Sequence, residues 1–433
     1  MSEEVLRSYL SRSMTVLDLM TGHGDLDDNV RMLTNCGVKF AGRAIYLWGQ
    51  EADLPRKLEL AKKSAARVHG ADPEIILQAC VFEIVSQNVT NLPVPDWALA
   101  ALGQPVEKRN FRYEAMVYPD KRDRDQWGPG ASVPDVSRDE TKLWFYYLAA
   151  SYINAGCEAI HFGQAEIMNR NDRGLDNWAQ VIGRVRQYAA KHARRCLVLC
   201  DAHVPSGGLA REGRLLLDFH SFPLRIAEVA QRPQPGGAGN PKPETRNPKQ
   251  IRIDGNGQLE KREAAEFLPR LPAISTIAVQ EGELQVGFVD SIYGRSKGGI
   301  TPSGWRCEHL PFLVELDNWG VSSKPGQGGL GGCWVWVYDE ITWFAQQPVA
   351  YRNEWLRYAW KWVREHDPAG YLEMPGSRCL AGAKTGKGWY CANRASAATP
   401  DGFAQEETIR AIWAGDATKA APGERTLGPD KPR

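Results

Sequence analysis

Two kinds of segment alternate along most of this chain, and their alternation is the feature that most restricts its fold. Short apolar runs rich in β-branched and aromatic residues, such as 74–83 and 159–163, are separated by longer runs with helical periodicity, such as 138–155 and 178–193. Continuous apolar runs of this length are typical of strands covered on both faces, as in parallel sheets. The alternation therefore predicts an α/β protein built from parallel β/α units.

The number of such units predicts the architecture. Strand candidates lie at about 43–48, 74–83, 159–163, 196–201, 215–220, 285–290, 311–316 and 332–338. Eight strands with mostly intervening helices predict a (β/α)8 TIM-like barrel. A doubly wound open sheet is the alternative, but no G-x-G-x-x-G or P-loop motif follows a predicted strand. We expect a single domain over residues 1–413, with long insertions at the barrel top at about 87–137 and 231–261. A disordered tail is expected over 414–433.

Composition narrows the class of partner. The chain has 53 Lys and Arg residues and 52 Asp and Glu residues, so its positive and negative charges nearly balance. It lacks the excess of positive charge that binding to nucleic acid or to an anionic membrane would favour. The expected partners are small molecules, uncharged polymers or further copies of the chain. The nine cysteines form no C-x-x-C motif, and no signal peptide or membrane span is recognisable. These features favour the cytoplasm, or a secreted or periplasmic location if a leader has been removed.

Ionisable residues gather where the predicted strands end. In a barrel of this kind, the carboxyl ends of the strands converge on one pocket. Three of the eight histidines also lie at these ends. Because an ionisable group near a barrel core is costly unless it is paired or functional, the pattern predicts an active site there. The acids concerned are Glu51, Glu83, Glu166, Asp201, Asp218, Asp290, Glu315, Asp317 and Asp339, and the histidines are His161, His203 and His220.

Three short segments carry a resemblance to a known group of enzymes. They are His161-Phe-Gly-Gln-Ala-Glu166, Phe312-Leu-Val-Glu-Leu-Asp317 and the Trp-rich run Cys333-Trp-Val-Trp-Val-Tyr338. With them the chain resembles the superfamily of (β/α)8-barrel glycoside hydrolases, over about residues 40–365. The usual Asn-Glu pair after the fourth strand of that superfamily is here Ala165-Glu166, which follows the third predicted strand.

The resemblance implies a carbohydrate-active hydrolase that cleaves a glycosidic bond and needs no cofactor. Such chemistry requires one carboxylic acid to protonate the leaving oxygen and a second carboxylate as nucleophile or base. Glu166 is the expected general acid/base and Glu315 the expected nucleophile or base. Glu83, Asp201 and Asp317 are supporting or alternative acids. The expected substrate-binding residues are Trp48, His161, Gln164, His203, His220, Tyr293, Trp319 and Trp336.

Two other functions are open at this stage. Asp201-Ala-His203 and Asp218-Phe-His220 are D-x-H pairs on consecutive strand ends, and alternation along a strand points both members of a pair the same way. The two pairs are candidate ligands of a divalent metal, in a sugar isomerase, an aldolase or a hydrolase. The further alternative is a barrel that binds sugar without catalysis.

Overall fold

The computed structural model describes residues 1–204, 206–231, 250–253, 259–262, 284–291, 296–316, 340–380 and 388–417. Among them, eight parallel strands pair in a closed ring, with the first strand hydrogen-bonded to the last. The chain is therefore a (β/α)8 barrel, as predicted. In chain order the strands are β1 (Ser13–Val16), β2 (Phe40–Ile45), β3 (Ile76–Cys80), β4 (Ala159–Gln164), β5 (Leu199–His203), β6 (His220–Gln231), β7 (Phe312–Leu316) and β8 (Gly370–Cys379).

Helices follow most of the strands, although none is described between β5 and β6 or between β6 and β7. They are α1 (Glu3–Leu10), α2 (Leu26–Cys36), α3 (Leu54–Ala71), α4 (Asp96–Ala101), α5 (Asp139–Asn154), α6 (Ala165–Met168), α7 (Asp176–His192), α8 (Glu340–Gln346), α9 (Val349–His366) and α10 (Glu406–Ala417). Local sequence sets their ends. The Asp25 side chain accepts a hydrogen bond from the backbone N–H of Asp28 at the start of α2, and Gly37 ends that helix in the left-handed conformation. Across the described ranges, no helix combines the length and the apolar character that a membrane span requires.

The strand assignments need three corrections. Sequence analysis missed β1, which has only four residues. It also missed β8, because Gly, Pro, Glu and Arg residues interrupt its apolar pattern although nine of its ten residues are buried. The predicted strand at 285–290 is real, but Leu284–Ser291 pairs antiparallel with the far half of β6 and lies outside the ring. The predicted strand at 215–220 ends where β6 begins, at His220. The prediction at 332–338 lies outside the described residues.

The interior of the barrel is layered. One layer is apolar and is covered from the amino ends of the strands by Leu6, Tyr9 and Leu10 of α1. Because side chains alternate along a strand, the residue two positions later on each strand also points inward. Those later residues are mostly polar. The apolar layer comprises Phe40, Ile76, Ala159, Leu199, Phe219, Leu313 and Tyr371, and the next layer comprises Gly42, Gln78, His161, Asp201, Ser221, Glu315 and Glu373.

Irregular pairing at two strand ends adds to the polar layer. Between Ala41 and Ile45 the register of β2 against β3 slips, and within that bulge Arg43 adopts a φ of 55°. Such bulges redirect side chains, and here Arg43 turns into the barrel. In β4 the register slips next to Gly163, whose φ is 45°. A Cβ on Gly163 would lie 2.0 Å from a carboxylate oxygen of Glu83.

Gly163→Ala should therefore destabilise the barrel. The substitution combines a left-handed backbone with a clash against a buried carboxylate, and we expect a loss of roughly 1–3 kcal/mol in the free energy of unfolding. Urea denaturation measures it. The matched control is Gly183→Ala in the interior of α7, where a Cβ meets no atom within 4 Å. There the change should be neutral or stabilising by about 0.5–1 kcal/mol. Equal effects of the two substitutions would contradict the role given to Gly163.

Candidate active site

A cluster of buried polar side chains fills the barrel just above its apolar layer. Each of its members is 5 % exposed or less. Burial of so many polar groups is costly unless they satisfy one another or serve a ligand. The cluster comprises Arg43, Gln78, His161, Asp201, His203, Ser221, Glu315, Glu373 and Arg378, and we refer to it as the polar layer.

Glu315 on β7 is the centre of the polar layer. Its Oε2 accepts hydrogen bonds of 2.9 Å from both Arg43 and Arg378, and its Oε1 contacts the other arm of Arg43. His203 Nε2 lies 3.1 Å from the same Oε1. Burial alone would raise the pKa of Glu315, but the two guanidinium groups and the bond to His203 hold that pKa well below its usual value. Glu315 is therefore an ionised carboxylate in a dry environment.

Glu373 on β8 lies directly beside Glu315 in the strand register. Its burial and the negative charge of Glu315 raise the pKa of Glu373 to about 8, although Arg43 and Arg378 oppose the shift. The side chain fits because β2 has glycine at position 42, where a Cβ would lie 1.9 Å from Glu373 Oε1. That oxygen has no hydrogen-bond partner among the described residues. At neutral pH Glu373 is thus a protonated acid beside a carboxylate.

His161 on β4 is oriented by Asp201 on β5. Asp201 Oδ2 lies 2.7 Å from His161 Nδ1 and also accepts a hydrogen bond of 2.6 Å from the Ser221 hydroxyl. Its Oδ1 accepts a third bond, of 2.7 Å, from Gln78. Because Asp201 acts as an acceptor towards all three, we assign the proton of His161 to Nδ1. Burial lowers the pKa of His161 despite the nearby carboxylate, so the ring is neutral. His161 Nε2 has no partner among the described residues.

An aromatic wall adjoins the polar layer at the ends of β2 and β3. Trp48 packs edge-on against Phe82 and Trp127, with ring centroids 5.4 and 5.1 Å apart. Tyr46 stacks beside Trp48 at 6.4 Å. Phe82 joins the wall to the polar layer, because the His161 ring lies 6.0 Å from it and the Arg43 guanidinium 5.7 Å above it. A ligand over the polar layer would meet ring surfaces on this side.

Glu166 and Glu83 sit around the end of β4. Glu166 lies in the first turn of α6, is partly exposed, and accepts hydrogen bonds of 3.1 and 3.3 Å from the Ser206 backbone. Glu83 is fully buried, and its two oxygens accept bonds of 2.8 and 2.9 Å from the backbone and side chain of Gln164. The exposed Glu166 is open to proton exchange, whereas Glu83 and Gln164 hold the end of β4 in place.

The two D-x-H pairs do not meet. Asp201 and His203 point into the barrel, but Phe219 and Ser221 occupy the inward positions of β6, so Asp218 and His220 face outward. Asp218 bonds to Arg186 of α7 at 2.7 Å and to the backbone of Cys200 at 2.8 Å. Burial lowers the pKa of His220 to about 3. Within the described residues no three His, Cys, Asp or Glu side chains are grouped to hold a metal ion.

The structure thus brings together four of the predicted site residues: His161, Asp201, His203 and Glu315. Trp48 joins the aromatic wall, and His220 does not reach the site. Asp317, Tyr293, Trp319 and Trp336 lie outside the residues whose placement is described. Since β1 was missed, the strand before Glu166 is the fourth and not the third. The strand count therefore no longer differs from that of the resembling superfamily, although Ala165 stands where that superfamily has asparagine.

Sequence analysis missed five members of the polar layer: Arg43, Gln78, Ser221, Glu373 and Arg378. A signal for three of them was present. Gln78, Ser221 and Glu373 each stand two positions after an apolar residue of the inner layer. Arg43 and Arg378 break that period, because each follows a shift in the strand register.

Comparisons with known proteins add little beyond the fold. No known family profile matches the sequence. Nor does any curated protein. Among solved structures, a debranching enzyme from Nostoc punctiforme is 9% identical, with a TM-score of 0.30 over 49% of this chain and 52% of its own. A GH27 β-L-arabinopyranosidase from Geobacillus stearothermophilus is 8% identical, with a TM-score of 0.28 over 47% and 50%. The match spans about half of either protein. Similarity this low carries no functional argument, which rests instead on the residues of the site.

Glu373→Gln tests the protonation of the polar layer. A carboxyl whose pKa is raised on folding stabilises the fold fully only below its unfolded pKa, near 4.5, and that contribution is lost as the pH rises to about 8. The wild-type free energy of unfolding should therefore fall relative to that of the variant by about 1.4 kcal/mol per pH unit across this window. Chemical denaturation at a series of pH values measures it. Glu365→Gln, on the exposed face of α9, should show no such slope. A pH-independent difference for Glu373→Gln would show that this carboxyl ionises normally.

Proposed function

We propose that the chain is a carbohydrate-active hydrolase that cleaves a glycosidic bond with two carboxyl groups, Glu315 and Glu166. The observation that carries the proposal is the state of Glu315, an ionised carboxylate excluded from water in the polar layer. A carboxylate of this kind stabilises positive charge that develops on a bound substrate far better than one in water, because the surrounding dielectric is low. The transition state of glycoside hydrolysis carries such charge on the sugar ring.

The two carboxyl groups have different roles in the reaction. Glu166 donates a proton to the glycosidic oxygen as the bond from that oxygen to the anomeric carbon breaks. Glu315 then either attacks the anomeric carbon, giving a glycosyl-enzyme that water hydrolyses, or removes a proton from the attacking water. The partial exposure of Glu166 supports this role, because a general acid must regain a proton in each turnover, either from the attacking water or from solvent. Glu166 follows β4 and Glu315 lies in β7, three strands apart around the ring.

The remaining groups of the site suit recognition of a sugar. Among the described residues His161 Nε2 is an acceptor with no partner, and the protonated Glu373 is a donor, so together they match the two hydrogen-bonding roles of a hydroxyl. The aromatic wall, with the half-buried Trp48 at its centre, offers a ring face for the apolar side of a pyranose. The proposal assigns no step to a metal or a cofactor.

Glu166→Gln and Glu315→Gln should each lower kcat on the cleaved glycoside by about 10²–10⁴-fold, because each removes a group that transfers a proton or bonds to the substrate. Initial rates on a panel of aryl glycosides identify the substrate and measure the loss. Glu365→Gln provides the control and should keep full activity. Because Glu315→Gln unbalances a buried ion cluster, thermal denaturation must accompany it. Full activity of Glu166→Gln would by itself overturn the assignment of the acid.

Treatment with a chelator should leave the activity unchanged. The D-x-H pairs face opposite sides of the barrel wall, and the roles proposed here need only carboxyl and imidazole groups. Rates before and after EDTA, with metal content measured on the same samples, test this. Activity that is lost on chelation and restored by a divalent metal would support the metal-dependent alternative. Sugar binding without turnover across the panel would support a non-catalytic barrel.

A further inference from the structure

A groove on the outer helical layer combines aromatic rings with positive charge. It lies between α4, α5 and α7 and has a volume of about 520 Å³. None of the residues that line it is acidic. Its principal side chains are Trp97, Tyr146, Asn154, Arg184, Tyr188 and Lys191, and we refer to it as the α5–α7 groove.

The rings form an open platform. Trp97 is 41% exposed, although it contacts Tyr188 at 6.1 Å with an interplanar angle of 29° and meets the edge of Tyr146 at 6.1 Å. The tyrosines thus fix the orientation of Trp97 while a large part of it stays in contact with solvent. A tryptophan held in this way stacks on flat, partly apolar ligands, among which the faces of sugar rings are common.

The charges in the groove are uncompensated. Arg184 and Lys191 are both exposed, and neither forms an ion pair with a carboxylate in the described part of the chain. Other exposed arginines do form such pairs: Arg357 lies 3.1 Å from Glu354, and Arg56 lies 2.7 Å from Asp53. In a protein with balanced total charge, this local excess favours an anionic ligand.

The polar groups of the groove are oriented as donors. The Tyr188 hydroxyl donates a 2.9 Å hydrogen bond to Asn154 Oδ1. Because that bond uses the carbonyl oxygen, the amide N–H groups of Asn154 remain available to a ligand. With the guanidinium and the ammonium, they make the groove rich in hydrogen-bond donors. A carboxylate is an acceptor that a guanidinium binds through two parallel bonds.

The α5–α7 groove is remote from the polar layer. The last turn of α5 ends at Asn154, shortly before β4 begins at Ala159, and α7 ends at His192, shortly before β5 begins at Leu199. The groove residues at these helix ends therefore lie towards the amino ends of the strands. Glu166 follows the opposite end of β4. The groove is thus a separate site.

We propose that the α5–α7 groove is a second binding site, for an acidic oligosaccharide that carries uronic acid residues. A sugar ring stacks on Trp97 while its carboxylate binds Arg184. This combination needs both an apolar ring face and an anionic group, which a uronic acid supplies in one residue. The proposal is independent of the roles given to Glu166 and Glu315.

Calorimetric titration of the full-length protein with tetragalacturonate tests the site. We expect binding that weakens as salt is added, and binding at least about tenfold weaker for the methyl-esterified tetrasaccharide, since esterification removes the charge that the guanidinium recognises. Trp97→Ala should abolish binding of both ligands. Arg184→Gln should reduce the affinity for the acid to that for the ester. Arg184 is chosen because Lys191 also stabilises the carboxyl end of α7.

Arg357→Gln is the matched control, since it removes an exposed arginine from α9 and should leave the affinity unchanged. Trp97→Ala should also keep the wild-type rate on the glycoside substrate, which separates this site from the catalytic one. Equal affinity for acid and ester, undiminished binding by Trp97→Ala, or no binding of the acid would each overturn the proposal. Binding of single-stranded DNA in place of tetragalacturonate would reassign the groove to nucleic acid.

Discussion

The ion cluster of Glu315 with Arg43 and Arg378 is the interaction on which the interior of this barrel depends. Taking one of these charges out of water costs several kcal/mol, and breaking a buried pair by removing one member costs about 3–5 kcal/mol. The cluster holds because each Glu315 oxygen is shared between donors from different strands. It therefore ties β2, β5 and β8 to β7 across the polar layer. It also fixes the ionisation of Glu315, on which the proposed chemistry rests.

Charge balance extends through the layer. Besides Glu373, the polar layer contains two guanidinium groups, Arg43 and Arg378, and two other acidic side chains, Glu315 and Asp201. Both guanidinium groups pair with Glu315. A third carboxylate would leave a net negative charge in the core, and the raised pKa of Glu373 avoids it by retaining a proton there. The shift thus follows from the balance of its neighbours as well as from burial. Glu373 can therefore donate a hydrogen bond directly beside the ionised Glu315.

Much of this architecture follows from simple periodicity. The alternation of strand and helix predicted the barrel, and the concentration of acids and histidines at strand ends predicted His161, Asp201, His203 and Glu315 as neighbours. Because side chains alternate along a strand and Phe219 faces inward, Asp218 and His220 face outward and lie apart from that group. The local pattern does not reveal which of the two alternating sets of side chains on a strand points into the barrel. That depends on which strands close the ring.

The two arginines that sequence analysis missed, Arg43 and Arg378, share a physical cause. Arg43 enters the barrel through a bulge with a left-handed residue, and β8 carries Gly376 and Arg378 in place of an apolar repeat. Both irregularities are stabilised by contacts with distant parts of the chain: Arg43 with Glu315, and Gly376 against Met14 of β1. Local propensity opposes such conformations, and only tertiary contacts compensate for the strain. Side chains placed in this way cannot be predicted from the residues next to them in the sequence.

The arginines of the two sites favour ligands of different charge. In the polar layer, Arg43 and Arg378 are matched by carboxylates of the protein itself, so a ligand that reaches this depth gains most if it is uncharged and hydroxylated. On the surface, Arg184 has no such match in the described chain, and a ligand must supply the negative charge. The interior therefore favours a neutral sugar and the α5–α7 groove an acidic one.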